Sequence, residues 1–194
     1  MVKTLVVIDV QNDFCHPNGF FPRNFGSSTE GIDEIVNNIE QAVNIFREKR
    51  LPIIYTLAIG DEKYISRTQF ERYSAMDKLG FLQDGDWGAD FYRLKPVEGE
   101  LVFKKGGYNP FSNPEFREHL IRTFDDIVLV GFYSDVCVRS TAEQADQLGI
   151  RTEVIADCSD TMTKIPHREA LDFMRTYFGT VVYQNVENLV SVLD

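Results

Sequence analysis

The chain has 194 residues, enough for one domain with a sizeable core, and its 43% hydrophobic and 26% charged residues are ordinary for a globular protein. Thirty acidic residues against 20 basic ones give a net charge of −10, which disfavours nucleic acid or an anionic membrane surface as a partner, because both are bound through basic patches. No apolar run approaches the roughly 18 residues that a membrane helix needs, and we expect no signal peptide.

Six short apolar runs, separated mostly by helix-like segments, organise the sequence. The predicted strands are residues 4–8, 52–59, 100–103, 126–130, 152–156 and 180–183. Their apolarity is continuous rather than alternating, which is typical of a parallel sheet covered on both faces. We therefore predict one α/β domain over residues 1–194, with a six-stranded, doubly wound parallel sheet in a three-layer α/β/α arrangement.

Helical patterns follow most of these strands. The clearest begins at Ser27 or Ser28 as N-cap and ends in basic residues up to Arg50, which complement the helix dipole. Later helices are predicted at residues 114–122, 137–148, 166–178 and 186–193. Two long loops, residues 10–26 and 60–99, begin at the carboxyl ends of strands, where parallel sheets bind ligands.

Three residues suited to catalysis lie at the carboxyl ends of predicted strands. Asp9 closes the first strand, Lys105 closes the third, and Cys137 follows the fourth at the start of a predicted helix. Each also has an ordinary interpretation, as a loop-capping aspartate, a solvated lysine and a buried structural cysteine. At one sheet edge, however, the aspartate can take the thiol proton, the lysine can steady the charge, and the helix N-terminus can hold a thiolate.

The motifs that contain these residues resemble those of the isochorismatase-like cysteine hydrolases. They are Asp-Val-Gln-Asn-Asp-Phe at 9–14, Lys-x-x-Tyr-x-x-Phe at 105–111, and Gly-x-x-x-Asp-x-Cys-Val-x-x-Thr-Ala at 131–142. The position of Tyr108 selects Lys105 over Lys104 as the family lysine. The resemblance covers nearly the whole chain and implies the strand order 3-2-1-4-5-6, with Asp9, Lys105 and Cys137 as a triad. In that order, Lys105 has to reach across the second strand.

The resemblance also implies a mechanism. Cys137 attacks a carbonyl carbon, Asp9 moves the thiol proton to the leaving amine, and Lys105 stabilises charge before water releases the acyl-enzyme. A cis peptide between Phe132 and Tyr133 is implied, and it directs the backbone N–H groups of Tyr133 and Cys137 at the oxyanion. The implied partners are a small-molecule substrate and further copies of the chain, with no cofactor.

Two features indicate the type of reaction within the family: the absence of histidine after the second strand and the presence of Cys137. Nicotinamidases hold a metal through Asp-x-His after the second strand, whereas residues 56–63 contain no histidine. The histidines are His16, His119 and His167, and we expect no metal site. Isochorismatases act on a vinyl ether and often lack the cysteine, so Cys137 favours C–N hydrolysis of a small amide, urea or carbamoyl compound. Vinyl ether hydrolysis and a non-catalytic binding role on the same fold remain alternatives.

Two aromatic residues are candidates for the substrate pocket. Phe14 matches a pocket aromatic of the family, and Trp87 lies where the family places a wall, although core packing explains Trp87 nearly as well. His16 is either a surface residue or a substrate contact. Cys15 and Cys158 are expected to be inert. Three scattered cysteines indicate neither a disulfide framework nor a zinc site, so the cytoplasm is the expected compartment.

Overall fold

A single parallel sheet organises the computed structural model, which describes residues 3–161 and 165–193. Within these residues, six strands lie in the order β3-β2-β1-β4-β5-β6, and every neighbouring pair is parallel. The strands are β1 (Lys3–Ile8), β2 (Ile53–Ala58), β3 (Leu101–Lys105), β4 (Asp126–Phe132), β5 (Arg151–Asp160) and β6 (Val181–Tyr183). The predicted parallel sheet and the implied strand order are confirmed.

The largest differences from the predicted strands concern the carboxyl ends of β4 and β5. Both strands run past their apolar cores, and their register shifts between Leu129 and Gly131. Gly131 has a φ of 111°, and a Cβ at this position would overlap the backbone carbonyl oxygen of Ile8 on β1. Only glycine permits this close approach, which holds the end of β4 against the end of β1.

Helices cover both faces of the sheet. They are α1 (Asn12–Cys15), α2 (Phe20–Phe25), α3 (Ile32–Glu48), α4 (Arg67–Ala75), α5 (Pro114–Thr123), α6 (Arg139–Gln147), α7 (His167–Phe178) and α8 (Asn188–Leu193). Leu5 and Val7 of β1 face one core with α3 and α8, while Val6 and Ile8 face the other with α5, α6 and α7. This division follows from the alternation of side chains along a strand, and it confirms the three-layer arrangement. Of the helices in the described residues, none combines the length and apolarity that crossing a bilayer requires.

The start of α3 differs from the prediction. The helix begins at Ile32 with Gly31 as N-cap, and Gly31 has a φ of 79°, so neither Ser27 nor Ser28 is the cap. Instead, the Ser28 side-chain oxygen accepts the backbone N–H of Glu30 at 3.1 Å and closes a turn before the helix. Serine favours turns and helix caps for the same reason, which is why the sequence pattern is ambiguous here.

The helix predicted from residue 137 is also shifted. The chain leaves β4 through a π-helical turn, Ser134–Val138, and α6 begins only at Arg139. Cys137 therefore lies inside the turn, before the first residue of the α-helix. This agrees with the prediction of Cys137 at or near the first turn of that helix, although the turn is π-helical rather than α-helical.

The two long loops contain helices that the apolar pattern does not reveal. Residues 10–26 include α1 and α2, and residues 60–99 include α4 and the 3-10 turn Trp87–Ala89. None of the residues of α4 is buried, so it has no apolar stripe. The sequence signal that identifies α4 is the capping box formed by Ser66 and Gln69. The side-chain oxygen of each residue accepts the backbone N–H of the other.

Candidate active site

The structure brings Asp9, Lys105 and Cys137 together beyond the carboxyl ends of the central strands. Lys105 Nζ lies 2.8 Å from Asp9 Oδ2 and 3.6 Å from Cys137 Sγ. The three residues are 0%, 2% and 5% exposed, respectively. An acid, a cation and a thiol thus share one dry site, where electrostatic interactions are stronger than in water.

Asp9 is fixed by its neighbours on β2. It follows the last residue of β1 with a φ of 52°, and its N–H donates to the backbone oxygen of Thr56 at 3.2 Å. The Thr56 hydroxyl donates to Asp9 Oδ1 at 2.8 Å. The contact between Asp9 Oδ2 and Lys105 is close enough for an ion pair but is poorly directed for a hydrogen bond, and no other described residue donates to Oδ2. Apart from this ion pair, Oδ2 therefore has no hydrogen-bond donor among the described residues.

Lys105 reaches the site from the last residue of β3, across β2. Its partner in the β2 register is Ala58, whose methyl side chain leaves the path open. Besides its contacts with Asp9 and Cys137, the ammonium donates to the backbone oxygens of Gly107 at 2.9 Å and Tyr108 at 3.1 Å. Burial opposes the ammonium charge, but the Asp9 carboxylate and the Cys137 sulfur outweigh it and raise the pKa of Lys105, so the lysine is a cation.

Cys137 is held by the residues that follow it. The Thr141 hydroxyl donates to the Cys137 backbone oxygen at 2.6 Å, and the Ser140 hydroxyl donates to the same oxygen at 3.2 Å. Burial raises the pKa of the Cys137 thiol to about 12; the Lys105 ammonium works against this rise and the Asp9 carboxylate adds to it. This direction favours a protonated resting thiol, which agrees with the expectation that Asp9 takes the thiol proton before attack.

The turn that carries Cys137 is tied to its surroundings by two further contacts. The peptide between Phe132 and Tyr133 is cis, as the resemblance implies. The Tyr133 hydroxyl donates to the backbone oxygen of Phe14 at 3.1 Å. On the other side, His167 of α7 places Nδ1 2.9 Å from the Ser134 hydroxyl and Nε2 3.0 Å from the backbone oxygen of Ala156. Burial lowers the pKa of His167, which keeps the ring neutral in this position.

Three polar residues after Asp9 shape the site without entering it, and sequence reasoning did not assign them this role. The Gln11 side chain binds both backbone groups of Ala58, at 2.8 and 3.0 Å, and the backbone oxygen of Ala89. Asn12 donates to the backbone oxygen of Trp87, and Asp13 accepts backbone N–H groups of both long loops. The sequence signal for these three residues is a run of polar side chains directly after a buried strand. Polar side chains in such a position need hydrogen-bond partners once they are buried.

A cavity of about 200 Å³ opens onto Cys137. Phe14 lines it, as the resemblance implies, together with five further aromatic rings: Phe21, Tyr73, Phe81, Tyr108 and Tyr133. The remaining wall is mostly aliphatic, from the ends of β2, the two long loops and the turn that carries Cys137. The wall is thus mostly apolar, with the Gln69 amide, the tyrosine hydroxyls and the Cys137 thiol as its polar groups.

Trp87 does not line this cavity, and its prediction as a pocket wall is corrected. The Trp87 side chain is 50% exposed and borders a separate surface depression with Asp13 and Phe20. Its ring packs edge-on against His16 at 5.0 Å, and His16, half-buried, also lies outside the cavity. Asn12 binds the backbone oxygen of Trp87 and not its ring, and the indole is half exposed to solvent.

The residues present do not fit the metal site of the nicotinamidase branch. The described residues contain no cluster of three histidine, cysteine or carboxylate side chains that could hold a metal ion. After β2, the Asp61 carboxylate accepts a backbone N–H of the same loop. His16, His119 and His167 lie apart, and His119 packs against the ring of Phe103.

The other two cysteines, Cys15 and Cys158, are buried and free like Cys137. Burial raises the pKa of both thiols, and neither has a lysine or arginine among the groups that influence its charge. Neither lines the cavity beside Cys137. The difference between the three thiols is therefore the combination of a cation and an open cavity at Cys137.

Comparison with known proteins gives a consistent result. The isochorismatase domain family model matches residues 3–185. Ureidoacrylate amidohydrolase of Methylobacterium radiotolerans is 26% identical over 193 residues, which cover 91% of this chain and 74% of that protein. Nicotinamidase/pyrazinamidase of Mycobacterium tuberculosis is 27% identical over 186 residues, covering 90% and 95%. The crystal structure of N-carbamoylsarcosine amidase from Thermoplasma acidophilum shares the fold, with a TM-score of 0.77 and 24% identity over 95% of this chain and 96% of that one.

Proposed function

The chain belongs to the isochorismatase family, and from this premise we propose that it is a cysteine hydrolase that cleaves a C–N bond of a small amide, urea or carbamoyl compound. The observation that carries the proposal is the buried contact of Lys105 Nζ with both Asp9 Oδ2 and Cys137 Sγ, at 2.8 and 3.6 Å. The names of the relatives from Methylobacterium radiotolerans and Mycobacterium tuberculosis support the same reaction class.

In the first half of the reaction, the Cys137 sulfur attacks the carbonyl carbon while its proton passes to Asp9 Oδ2. The protonated resting thiol makes this transfer necessary, and Oδ2 has the free lone pair to accept it. The oxyanion that forms is stabilised by the backbone N–H groups of Tyr133 and Cys137. Asp9 then gives the proton to the leaving nitrogen, the C–N bond breaks, and a thioester on Cys137 remains.

In the second half, Asp9 takes a proton from water as the water oxygen attacks the thioester. The C–S bond breaks, the acid product leaves, and the proton returns to the sulfur, so that the enzyme is restored. Lys105 remains charged throughout. It stabilises the Asp9 carboxylate before each proton transfer and the thiolate as it leaves, because its ammonium touches both groups.

The test compares three variants in an ammonia-release assay on a panel of small amides and ureas. Cys137→Ala should abolish turnover while keeping the wild-type melting curve, whereas Cys15→Ala and Cys158→Ala, as matched controls, should retain turnover. Retained turnover in Cys137→Ala would contradict the proposal. If the Cys137→Ala variant still hydrolysed a vinyl ether, the isochorismatase-type reaction would be the better assignment.

Alkylation separates an enzyme from a binding protein on the same fold. Iodoacetamide should modify Cys137 ahead of Cys15 and Cys158, because only Cys137 combines an open cavity with a nearby cation. Peptide mass spectrometry measures the order. Equal rates at the three cysteines, together with no turnover of any amide in the panel, would favour a non-catalytic role.

A further inference from the structure

The residues that line the cavity beside Cys137 indicate which acyl groups the cavity can hold. We infer that the acyl group it accepts is uncharged and apolar, of about the size of one aromatic ring, and that it excludes acyl groups that carry a carboxylate. This inference rests on the proposed function for its catalytic meaning. As a statement about binding, it rests on the cavity alone.

The walls of the cavity contain no charged side chain among the described residues. Aromatic rings dominate them, and the packing among these rings is tight: Phe14 stacks on Phe21 at 4.7 Å, and Tyr73 packs on Phe81 at 4.7 Å. Such walls favour flat apolar groups through dispersion and the removal of apolar surface from water. They offer no compensation for an anion that has lost its hydration.

Two cations, Lys105 and Arg72, contact residues of the cavity wall, and neither itself lines the cavity. The Lys105 ammonium is already engaged by the Asp9 carboxylate, Cys137 and two backbone oxygens. Arg72 does not line the cavity; its guanidinium donates to the Tyr108 hydroxyl at 2.8 Å in an exposed position. A carboxylate placed in the cavity would therefore be desolvated without a partner.

The size of the cavity limits the acyl group. Its volume is about 200 Å³. That is below the roughly 300–1,000 Å³ of pockets for drug-sized ligands. A single ring with its amide group is the size that fits.

Gln69 is the position where this preference can be changed. It is the only wall residue with an amide side chain, and it comes from α4, which forms the outer side of the cavity. An arginine at residue 69 would place a cation on a wall that has none among the described residues, and it would also remove the capping contact of Gln69 with Ser66. Thr68, its exposed neighbour on the same helix, does not line the cavity and provides a control for the added charge.

The experiment measures kcat/KM by ammonia release for two probes, benzamide and N-carbamoylglycine, and their affinities by calorimetry on the Cys137→Ala variant. Benzamide should be preferred at least about 100-fold, in kcat/KM for the wild type and in affinity for Cys137→Ala, because an unpaired anion is poorly tolerated in an apolar site. Gln69→Arg should shift the ratio at least about tenfold toward N-carbamoylglycine. Thr68→Arg should leave it unchanged.

The outcomes separate this inference from the proposed function. Preference for N-carbamoylglycine, or equal shifts in Gln69→Arg and Thr68→Arg, would overturn the inference while leaving cysteine hydrolysis intact. Selective binding of benzamide without any turnover would support the inference and contradict the proposed function. Failure of the Cys137→Ala variant to bind benzamide more tightly than N-carbamoylglycine would overturn the inference whatever the activity.

Discussion

Replacement of Lys105 by methionine tests whether the contact of Lys105 with Asp9 and Cys137 is needed for both stability and activity. Methionine keeps most of the length of the side chain, so the change removes the charge and leaves little empty space. The Asp9 carboxylate, which is completely buried, would then lose its counter-charge. Breaking a buried ion pair from one side costs about 3–5 kcal/mol, because the remaining charge is uncompensated.

The loss of unfolding free energy in Lys105→Met has two sources. The backbone oxygens of Gly107 and Tyr108 also lose a donor, and since this turn is partly exposed, water can replace much of that contribution, leaving about 0.5–1 kcal/mol for each. The rest belongs to the uncompensated carboxylate. Adding Asp9→Asn removes that charge and keeps the acceptor for Thr56, and asparagine tolerates the positive φ of residue 9. The double variant should therefore recover about 2–3 kcal/mol relative to Lys105→Met.

Urea denaturation at pH 7 measures these differences, and ammonia release measures activity in the same samples. Lys105→Met should be less stable than the wild type by about 3–5 kcal/mol and inactive; the double variant should regain stability but not activity. Lys104→Met is the matched control, because the Lys104 pair with Asp84 lies at the surface and contributes about 0–1 kcal/mol. A loss below about 1 kcal/mol in Lys105→Met, or no recovery in the double variant, would refute the reasoning.

Three further outcomes are expected. Thr56→Val removes the hydroxyl that donates to Asp9; urea denaturation should show a loss of about 1.5–3 kcal/mol, with a fall in kcat/KM of about tenfold, and unchanged activity would show that this hydrogen bond does not position the base. Gly131→Ala should prevent folding, as judged by circular dichroism, because its Cβ would overlap the β1 backbone, whereas Gly179→Ala, at positive φ but in open space, should cost only about 1–2 kcal/mol; similar losses would contradict this. Because burial lowers the pKa of His167, its neutral form stabilises the fold fully above the ordinary histidine pKa of about 6.5, and this contribution is lost as the pH falls below that value. Unfolding free energies measured between pH 7.5 and pH 5 should show that decline in the wild type and a smaller one in His167→Gln.

The arrangement of the catalytic candidates was predictable because it depends on local patterns and on the rules of parallel sheets. Continuous apolar runs identify buried strands, and the carboxyl ends of such strands lie along one edge. Asp9, Lys105 and Cys137 each follow or close such a run, so their convergence could be anticipated before the structure. The three motifs added the strand order, which the apolar pattern alone does not contain.

Features that depend on what a side chain packs against could not be anticipated. The pKa of Cys137 is the clearest case: a position near a helix start favours ionisation of the thiol, whereas burial in the folded chain raises its pKa to about 12. Trp87 is similar, because its indole faces a surface depression although its backbone is held close to the site. Helix α4 lacks an apolar stripe and yet supplies a wall of the cavity through Gln69 and Tyr73.

By itself, then, the sequence determined the sheet and the three residues at its edge, since apolar periodicity acts over short stretches of chain, and the resemblance of three motifs to a known family implied the strand order. The tertiary structure decided the pKa of Cys137 and the position of the Trp87 indole. It also decided that no charged side chain of the described residues lines the cavity. The physical reason is that desolvation and contact depend on groups distant in sequence. Lys105, for example, meets Cys137 across 32 residues of chain and two strands of the sheet, β2 and β1.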